Sequence, residues 1–231
     1  PWSAAVPAAL CPTKSGRDGR APEGPDPMTR PPRPAAEYYA VALLVYLLTR
    51  VGLFAFTVAG ALAVVEAAGR MTGRSAHVRW PNDVLIGERK LAGILAEARG
   101  DAGRLEAVVL GIGVNVNQLE GDFPAELGGS ATSMIIESGH AFDRALVLAG
   151  IVESFEFLYD RMMRDGGCQL IDEWRRVMPL IGHRISLTLA DGVVTGRALS
   201  VADDGALVVE EDGGACRSFH AGDVRLLREA L

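Results

Sequence analysis

The most extended apolar pattern of the chain runs from Ala40 to Val65 and is broken only at Thr49-Arg50. By length it could span a membrane, which takes roughly 20 apolar residues. Arg50 would then lie near the middle of the span, at a cost of about 2.5–3.5 kcal/mol on insertion scales. We therefore expect a soluble protein in which a buried strand from about Tyr39 to Leu48 is followed by a turn and a core helix from about Phe54 to Arg70.

The predicted core helix has one side suited to solvent and another suited to close packing against a sheet. Glu66 and Arg70 are spaced to pair on its exposed side. Its small residues would let the helix lie close to a neighbouring layer; they are Gly60, Ala61, Ala63, Ala67 and Ala68.

Downstream, the apolar period changes from that of helices to that of strands. We predict a helix from an N-cap at Asp143 to about Arg164, and a shorter one over about Leu170 to Val177. From Gly182 onward apolar residues alternate with polar ones, and Asp-Gly pairs mark turns. This pattern predicts a compact all-β module of about 50 residues.

The N-terminal segment has a different composition. It contains nine of the twelve prolines and no apolar periodicity, so we expect residues 1–37 to be irregular or disordered. No secretory signal is evident in it. Pro1 stands where an initiator methionine would, and whether it is a true start is left open.

Charge and cysteine content exclude some classes of function. The net charge of −6 argues against a nucleic-acid-binding face, which needs clustered Lys and Arg. The three cysteines, Cys11, Cys168 and Cys216, have no metal-ligand spacing and are typical of free thiols in a reducing compartment. We expect a cytoplasmic protein that binds neither nucleic acid nor a membrane.

The segment Arg79-Trp80-Pro81-Asn82-Asp83 is followed by Lys90-Leu91-Ala92-Gly93-Ile94-Leu95. The residue before a proline is extended, and Asn and Asp favour a turn. Lysine in an apolar strand is costly to bury without an anion beside it. Glycine inside a strand often marks the place where a ligand approaches the backbone. The segment is therefore predicted to bring a cation, an amide and a carboxylate to a small anionic ligand.

A second glycine-bearing strand follows at Val108 to Asn117. With the two-residue period of a strand, Gly111, Gly113, Asn115 and Asn117 share one face, opposite an apolar face. Bare backbone followed by amides is the surface expected where a flat ligand lies on a sheet.

These motifs, in this order, resemble the signature of biotin protein ligases. The resemblance covers about Tyr38 to Leu231 and implies an α+β fold: a mixed or antiparallel sheet with packed helices, like a class II synthetase, plus a small C-terminal β-barrel. The domains expected are an irregular segment (1–37), a catalytic domain (38–180) and the barrel (181–231). Upstream the chain departs from the family, since only Gly16-Arg17-Asp18-Gly19-Arg20 is similar to its glycine- and arginine-rich loop.

The resemblance implies activation of biotin by ATP with Mg²⁺, giving biotinyl-5′-AMP, and transfer to a lysine of a biotin carboxyl carrier protein or domain. It implies catalytic roles for Lys90, Arg79 and Asp83. It also implies that biotin or the nucleotide is contacted by Asn82, Trp80, Gly93, Gly111, Gly113, Asn115, Arg17 and Arg20. No motif holds a metal by itself, and Mg²⁺ would arrive with the nucleotide, near Asn82 and Asp83.

Two alternatives stay open. A lipoate or octanoate transferase or ligase shares the fold and a comparable lysine. A truncated, catalytically impaired ligase-like chain would account for the altered N-terminal segment. A homodimer is one option for the oligomeric state, which the sequence leaves open.

Overall fold

The computed structural model describes residues 35–101, 104–127, 129–165 and 168–227. The chain divides into two units, Pro1–Tyr39 and Ala40–Leu231, and of the first unit only the start of a helix is described. The candidate residues Arg17 and Arg20, and the predicted irregular segment up to residue 34, lie outside the described residues.

Helix α1 spans Ala35–Thr72 without interruption. The core helix predicted over Phe54 to Arg70 is confirmed, but the strand predicted over Tyr39 to Leu48 is wrong. Its residues are mostly Ala, Leu and Val, and neither Thr49 nor Arg50 breaks a helix, so nothing local stops the helix from extending through them. The expected pair forms on the exposed side, with 3.3 Å between Arg70 Nη1 and Glu66 Oε1.

The first sheet consists of four antiparallel strands in the order β1-β2-β3-β4. They are β1 (Ala76–Arg79), β2 (Asp83–Ile86), β3 (Arg89–Asp101) and β4 (Arg104–Val114). Helix α1 packs closely on one face, because a Cβ added at Gly60 would lie 3.2 Å from Ile94 and 3.3 Å from Leu110. The predicted close approach of helix to sheet is thus present.

Three further helices follow β4. They are α2 (Met134–Ser138), α3 (Arg144–Asp165) and α4 (Cys168–Arg176), preceded by short 3₁₀ turns at Glu120–Asp122 and Ala125–Leu127. Asp143 accepts a hydrogen bond from the backbone N–H of Ala145, as its predicted N-cap role requires. On α3, Ile151 and Leu158 are buried, whereas Leu146 is exposed.

The C-terminal module is a five-stranded antiparallel sheet in the order β8-β7-β6-β5-β9. Its strands are β5 (Arg184–Leu189), β6 (Gly192–Val201), β7 (Leu207–Glu211), β8 (Cys216–Phe219) and β9 (Asp223–Leu226). The predicted all-β character is confirmed, but the sheet is not closed into the expected barrel, since the edge strands β8 and β9 do not pair within the described residues. The alternation of apolar and polar residues does not extend into β8, whose first three residues are exposed.

One part of α1, Gly52–Thr72, is long and apolar enough to cross a membrane. However, 56% of an 18-residue apolar stretch within this segment is buried inside the protein. Val58, Ala59, Ala61 and Ala63 are fully buried in the core. Its apolar character is therefore accounted for by packing of α1 on the first sheet.

Candidate active site

The connection between β1 and β2 carries the Trp-Pro-Asn motif between two charged residues. Arg79 ends β1 and Asp83 begins β2, and the two are register partners. Arg79 Nη2 lies 2.6 Å from Asp83 Oδ2. The side chain of Asp83 is only 14% exposed, so its charge is held mainly by protein groups rather than by water.

Lys90 joins the same carboxylate from the start of β3. Its Nζ lies 2.5 Å from Asp83 Oδ1, and its side chain is 43% exposed. The anion that sequence reasoning required beside this lysine is thus supplied by the chain itself. We call Arg79, Asp83 and Lys90 the cation–carboxylate cluster. Two cations on one carboxylate leave the cluster with an excess positive charge, directed at the open side of the sheet.

The backbone of Lys90 is fixed by a neighbouring segment. Its N–H donates to the carbonyl of Ser130 at 2.8 Å, and its carbonyl accepts from the N–H of Thr132 at 2.9 Å. This is a short parallel bridge centred on Ala131. The position of the lysine along β3 is therefore set from both sides, by β2 and by residues 130–132.

Asn82 and Trp80, both expected to contact substrate, are engaged within the protein. Asn82 Nδ2 donates to the carbonyl of Ile94 at 2.6 Å, which fixes the turn to β3. Trp80 is 1% exposed, and its indole N–H donates to the carbonyl of Gly205 at 2.9 Å. The expected contact of Trp80 with biotin or the nucleotide stays a prediction; in the structure its ring is buried and its indole N–H is paired with Gly205.

Three glycines form the open surface next to the cluster, and we call Gly93, Gly111 and Gly113 the glycine face. Asp83, Gly93 and Gly113 are successive partners across β2, β3 and β4, so they lie in one row on one face. A Cβ at Gly93 would lie 3.3 Å from Lys90 Nζ. At Gly111 and Gly113 an added Cβ would meet only backbone oxygens, at 3.6 and 3.9 Å. Bare backbone therefore extends from the cluster along β4.

Asn115 and Asn117 continue past the end of β4 but serve the fold. Asn115 Nδ2 donates to the carbonyl of Thr132 at 3.0 Å. The side chain of Asn117 both donates to and accepts from the backbone of Phe142. Asn115 thus lies next to the glycine face, with its amide nitrogen committed to holding residues 130–132.

A buried polar network behind Lys90 was missed by sequence reasoning. Glu137 Oε1 accepts from Thr132 Oγ1 at 2.6 Å and from Arg89 Nη2 at 2.8 Å. Thr132 is fully buried, and the side chain of Glu137 is 11% exposed. The network ties α2 to the residue preceding Lys90. The separation of about 50 residues between Arg89 and Glu137 leaves no local signal from which it could have been found.

Among the residues that the structure describes, two side chains have clearly shifted pKa values. Burial, and then the nearby positive charge of Arg79, lower the pKa of His77 below its ordinary value. Burial alone would lower the pKa of Arg175, but its hydrogen bonds to Asp203 and Asp172 outweigh it and raise that pKa. His77 on β1 is thus kept neutral close to the cluster.

Two cavities of the described residues lie away from the cluster. One, of about 470 Å³, lies between β4 and α3 and is lined by apolar side chains including Leu110, Ile112 and Val114. These residues alternate with Gly111 and Gly113, so this cavity is on the opposite face of the sheet. The other, of about 820 Å³, lies on the C-terminal module beside Arg184 and Asp212. Neither cavity includes the cluster or the glycine face, and the open glycine face is the candidate reaction surface.

The cluster does not provide a resident metal site. Among the residues that the structure describes, no three His, Cys, Asp or Glu side chains lie close enough to hold an ion. Asp83 is the single carboxylate of the cluster, and both its oxygens are paired with cations. Mg²⁺ is commonly held by one or two carboxylates plus substrate phosphates. A single carboxylate fits an Mg²⁺ ion that enters together with the nucleotide, as part of the substrate.

Two family models match the chain in order. The biotin/lipoate A/B protein ligase family matches residues 37–115, which include the cluster and the glycine face. The biotin protein ligase C-terminal domain matches residues 180–227, which include the five-stranded module. The chain belongs to the biotin protein ligase family.

Individual relatives agree with the family assignment. The chain is 35% identical over 170 residues to the bifunctional ligase/repressor BirA of Bacillus subtilis, covering 74% of this chain and 52% of that protein. It is 33% identical over 176 residues to the biotin–[acetyl-CoA-carboxylase] ligase of Mycobacterium tuberculosis, covering 74% of this chain and 62% of that protein. The chain thus spans between half and two thirds of the length of these relatives.

A solved structure has the same fold. The biotin protein ligase from Aquifex aeolicus in complex with biotin and ATP superposes with a TM-score of 0.63 at 26% identity, covering 77% of this chain and 72% of that one. The α+β fold with two antiparallel sheets is therefore that of biotin protein ligases.

Proposed function

We propose that this chain is an ATP-dependent biotin–protein ligase, which forms biotinyl-5′-AMP and transfers biotin to a lysine of a biotin carboxyl carrier domain. The observation that carries the proposal is the cation–carboxylate cluster at the edge of the glycine face. Cations beside an open, flat backbone surface can bind two anionic substrates next to each other, here a carboxylate and a nucleoside triphosphate.

In the first step, a carboxylate oxygen of biotin attacks the α-phosphorus of ATP. A new oxygen–phosphorus bond forms, the bond from the α-phosphorus to the bridging oxygen breaks, and pyrophosphate leaves with the electron pair. Negative charge develops on the phosphate oxygens in the transition state. Preorganised cations stabilise such charge most effectively because they need no reorganisation when the reaction occurs.

Lys90 is the residue that we assign to the reacting atoms. Its ammonium group is held by Asp83 at 2.5 Å and remains 43% exposed, so it can reach a substrate on the open side. Arg79, held by the same carboxylate at 2.6 Å, would bind nucleotide phosphate. Asp83 then has a positioning role, since it orients both cations. Asn82 contributes by fixing the turn between them, through its bond to Ile94.

In the second step, the amine of the acceptor lysine attacks the carbonyl carbon of biotinyl-AMP. The carbon–nitrogen bond forms, the bond from that carbon to the phosphate oxygen breaks, and AMP leaves. The amine must lose a proton, which solvent can accept at the exposed cluster. We assign the glycine face to the flat parts of the ligands: Gly93 to the ring of biotin, Gly111 and Gly113 to the adenine side, with Asn115 beside them.

Lipoate or octanoate transfer is the competing activity, because the first family model includes lipoate enzymes. The match of residues 180–227 to the biotin protein ligase C-terminal domain favours biotin. The same two matches support a catalytic domain over 38–180 and a separate module over 181–231. We further propose a cytoplasmic location, on the basis of the free thiol of Cys216 and the burial of the Gly52–Thr72 part of α1.

Purified chain should catalyse biotin-dependent exchange of labelled pyrophosphate into ATP when Mg²⁺ is present. With a biotin carboxyl carrier domain added, mass spectrometry should show one biotinyl group on the acceptor lysine. Lipoate or octanoate in place of biotin should give no exchange. If octanoyl or lipoyl carrier formed instead, the biotin assignment would be wrong while the adenylating cluster would stand.

The matched control is Arg184→Ala. Arg184 forms an ion pair with Asp212 at 2.8 Å and is 47% exposed, close to the exposure of Lys90, but it lies on the C-terminal sheet. The control should keep exchange activity near that of the unchanged chain. A chain with an intact circular dichroism spectrum but no exchange with any of the three acids would refute the proposed activity.

A further inference from the structure

Trp80 points away from the cluster that its own motif carries. It lies in the three-residue connection between Arg79 and Asp83, whose side chains form the ion pair on the open face. The indole ring instead enters the core, where it is 1% exposed. Its N–H donates to the carbonyl of Gly205, which is 125 positions later in the chain. The connection that sets the geometry of the cluster is thus hydrogen-bonded to the C-terminal module.

The turn that receives this hydrogen bond joins β6 to β7 and is itself tightly fixed. Gly205 has φ +86°, a backbone conformation that side chains rarely adopt. A Cβ there would lie 2.6 Å from the ring of Phe54, so the turn is in close contact with α1. From α4, Arg175 donates to the carbonyl of Val201 at 2.8 Å and pairs with Asp203 at 2.7 Å.

We propose that the β6–β7 turn (residues 202–206), through the hydrogen bond from Trp80 to Gly205, positions the cation–carboxylate cluster. Trp80 and Gly205 are then positioning residues for adenylate formation, although neither reaches a substrate. The inference rests on the proposed function for its catalytic consequence. The mechanical coupling of residues 79–83 to the turn can be tested without any activity.

The short connection makes the coupling effective. Only Trp80, Pro81 and Asn82 separate the two charged residues, and Trp80 is the one among them anchored in the C-terminal module. Without that anchor, Arg79 and Asp83 would still be held by strand pairing and by Asn82, so the fold should persist. The charged groups of the cluster would, however, be held less precisely in position. Misplacement of a catalytic group by about 1 Å can cost on the order of 10²-fold in rate.

The test compares Trp80→Phe with Trp174→Phe. Trp174 is also fully buried at this junction, and its ring packs edge-on against Phe54 with 5.2 Å between centroids. Its indole N–H has no hydrogen-bond partner within the described residues. Both substitutions remove the same atoms from the same region, but only Trp80→Phe removes a hydrogen bond to the C-terminal module.

In pyrophosphate exchange, Trp80→Phe should lower kcat about ten- to a hundredfold, with the KM for biotin changed less than about twofold. Trp174→Phe should lower kcat less than about threefold. This difference in kcat between the two variants distinguishes a role of Trp80 in positioning the cluster from a general loss of packing, which would lower kcat in both variants alike. Equal losses of kcat in the two variants, or an unchanged kcat in Trp80→Phe, would overturn the proposal.

Amide hydrogen exchange provides the readout that does not depend on activity, because it reports local opening. In Trp80→Phe, exchange should accelerate at least about fivefold in both residues 79–83 and residues 202–206. In Trp174→Phe, residues 79–83 should exchange as in the unchanged chain. Unchanged exchange of residues 79–83 in Trp80→Phe would overturn the coupling. An inactive unchanged chain that nevertheless shows coupled exchange would refute the proposed function and support the coupling.

Discussion

Replacing Lys90 with alanine should separate the role of the cluster in catalysis from its role in stability. The substitution removes one of the two cations that share the Asp83 carboxylate and leaves the other, Arg79, in place at 2.6 Å. Because Asp83 keeps this partner, no unpaired charge is left in the protein. We expect adenylate formation to fall on the order of 10²–10³-fold, as when one preorganised donor to a transition-state charge is removed.

The expected effect on stability is much smaller. Lys90 is 43% exposed, and ion pairs of partly exposed lysines contribute about 0–1 kcal/mol to folding. The rate loss corresponds to about 2.7–4 kcal/mol of transition-state stabilisation. The free energy of unfolding and the activation free energy should therefore differ in their response to the same substitution by about 2–4 kcal/mol.

The assay is biotin-dependent pyrophosphate exchange, run beside urea unfolding of the same preparations. Arg184→Ala is the control for loss of a similarly exposed ion pair away from the cluster. It should show a comparable shift of the unfolding midpoint and no large change in exchange rate. If exchange by Lys90→Ala stayed within about threefold of the unchanged chain, the assignment of Lys90 to the reacting atoms would be refuted. A rate loss matched by Arg184→Ala would refute it equally.

Three other predictions test neighbouring features. Gly113→Ala should leave the free energy of unfolding unchanged or raise it by about 0.5–1 kcal/mol, since the new methyl group meets only a backbone oxygen at 3.9 Å, yet calorimetry should show weaker ligand binding. His77 has a lowered pKa in the folded protein, so the unfolded chain takes up its proton first as pH falls below about 6.5. Its contribution to stability is present above that pH and is lost on acidification, and the slope of the urea midpoint between pH 7 and 5 should be smaller in His77→Gln. Glu137→Ala should lower the free energy of unfolding by about 1.5–3 kcal/mol in urea titration, because it leaves Thr132 and Arg89 without their shared acceptor; a loss below 0.5 kcal/mol would contradict this.

Features set by local sequence were predicted correctly. The two-residue alternation around Gly111 and Gly113 gave a strand with one bare face, and the Asp143 cap gave the start of α3. The cost of burying the charge of Lys90 indicated an anion beside it, which was expected to be a ligand and is instead the carboxylate of Asp83. Asp83, seven residues earlier, is brought to Lys90 by the β2–β3 hairpin, which turns at Gly87 and Glu88.

The failures arise where distant residues decide the outcome. Tyr39 to Leu48 carries residues that suit either a strand or a helix, and the choice depends on what surrounds them rather than on their pattern. Trp80 was assigned to ligand contact through the resemblance to the family motif, and nothing in the local sequence indicates its hydrogen bond to Gly205, which lies in another module. The Glu137 network joins segments whose closeness only the folded chain reveals.

The close packing of α1 on the first sheet at Gly60 has a consequence for the opposite face of that sheet. The helix meets Ile94 and Leu110, each of which directly adjoins a residue of the glycine face. At the three glycines themselves the strands have no side chain, so at these positions only the backbone of the sheet separates the helix from the ligand side. A larger side chain at position 60 would push against the backbone of the first sheet and change its curvature. The shape of the open surface is therefore determined partly from behind, by a residue that no ligand touches.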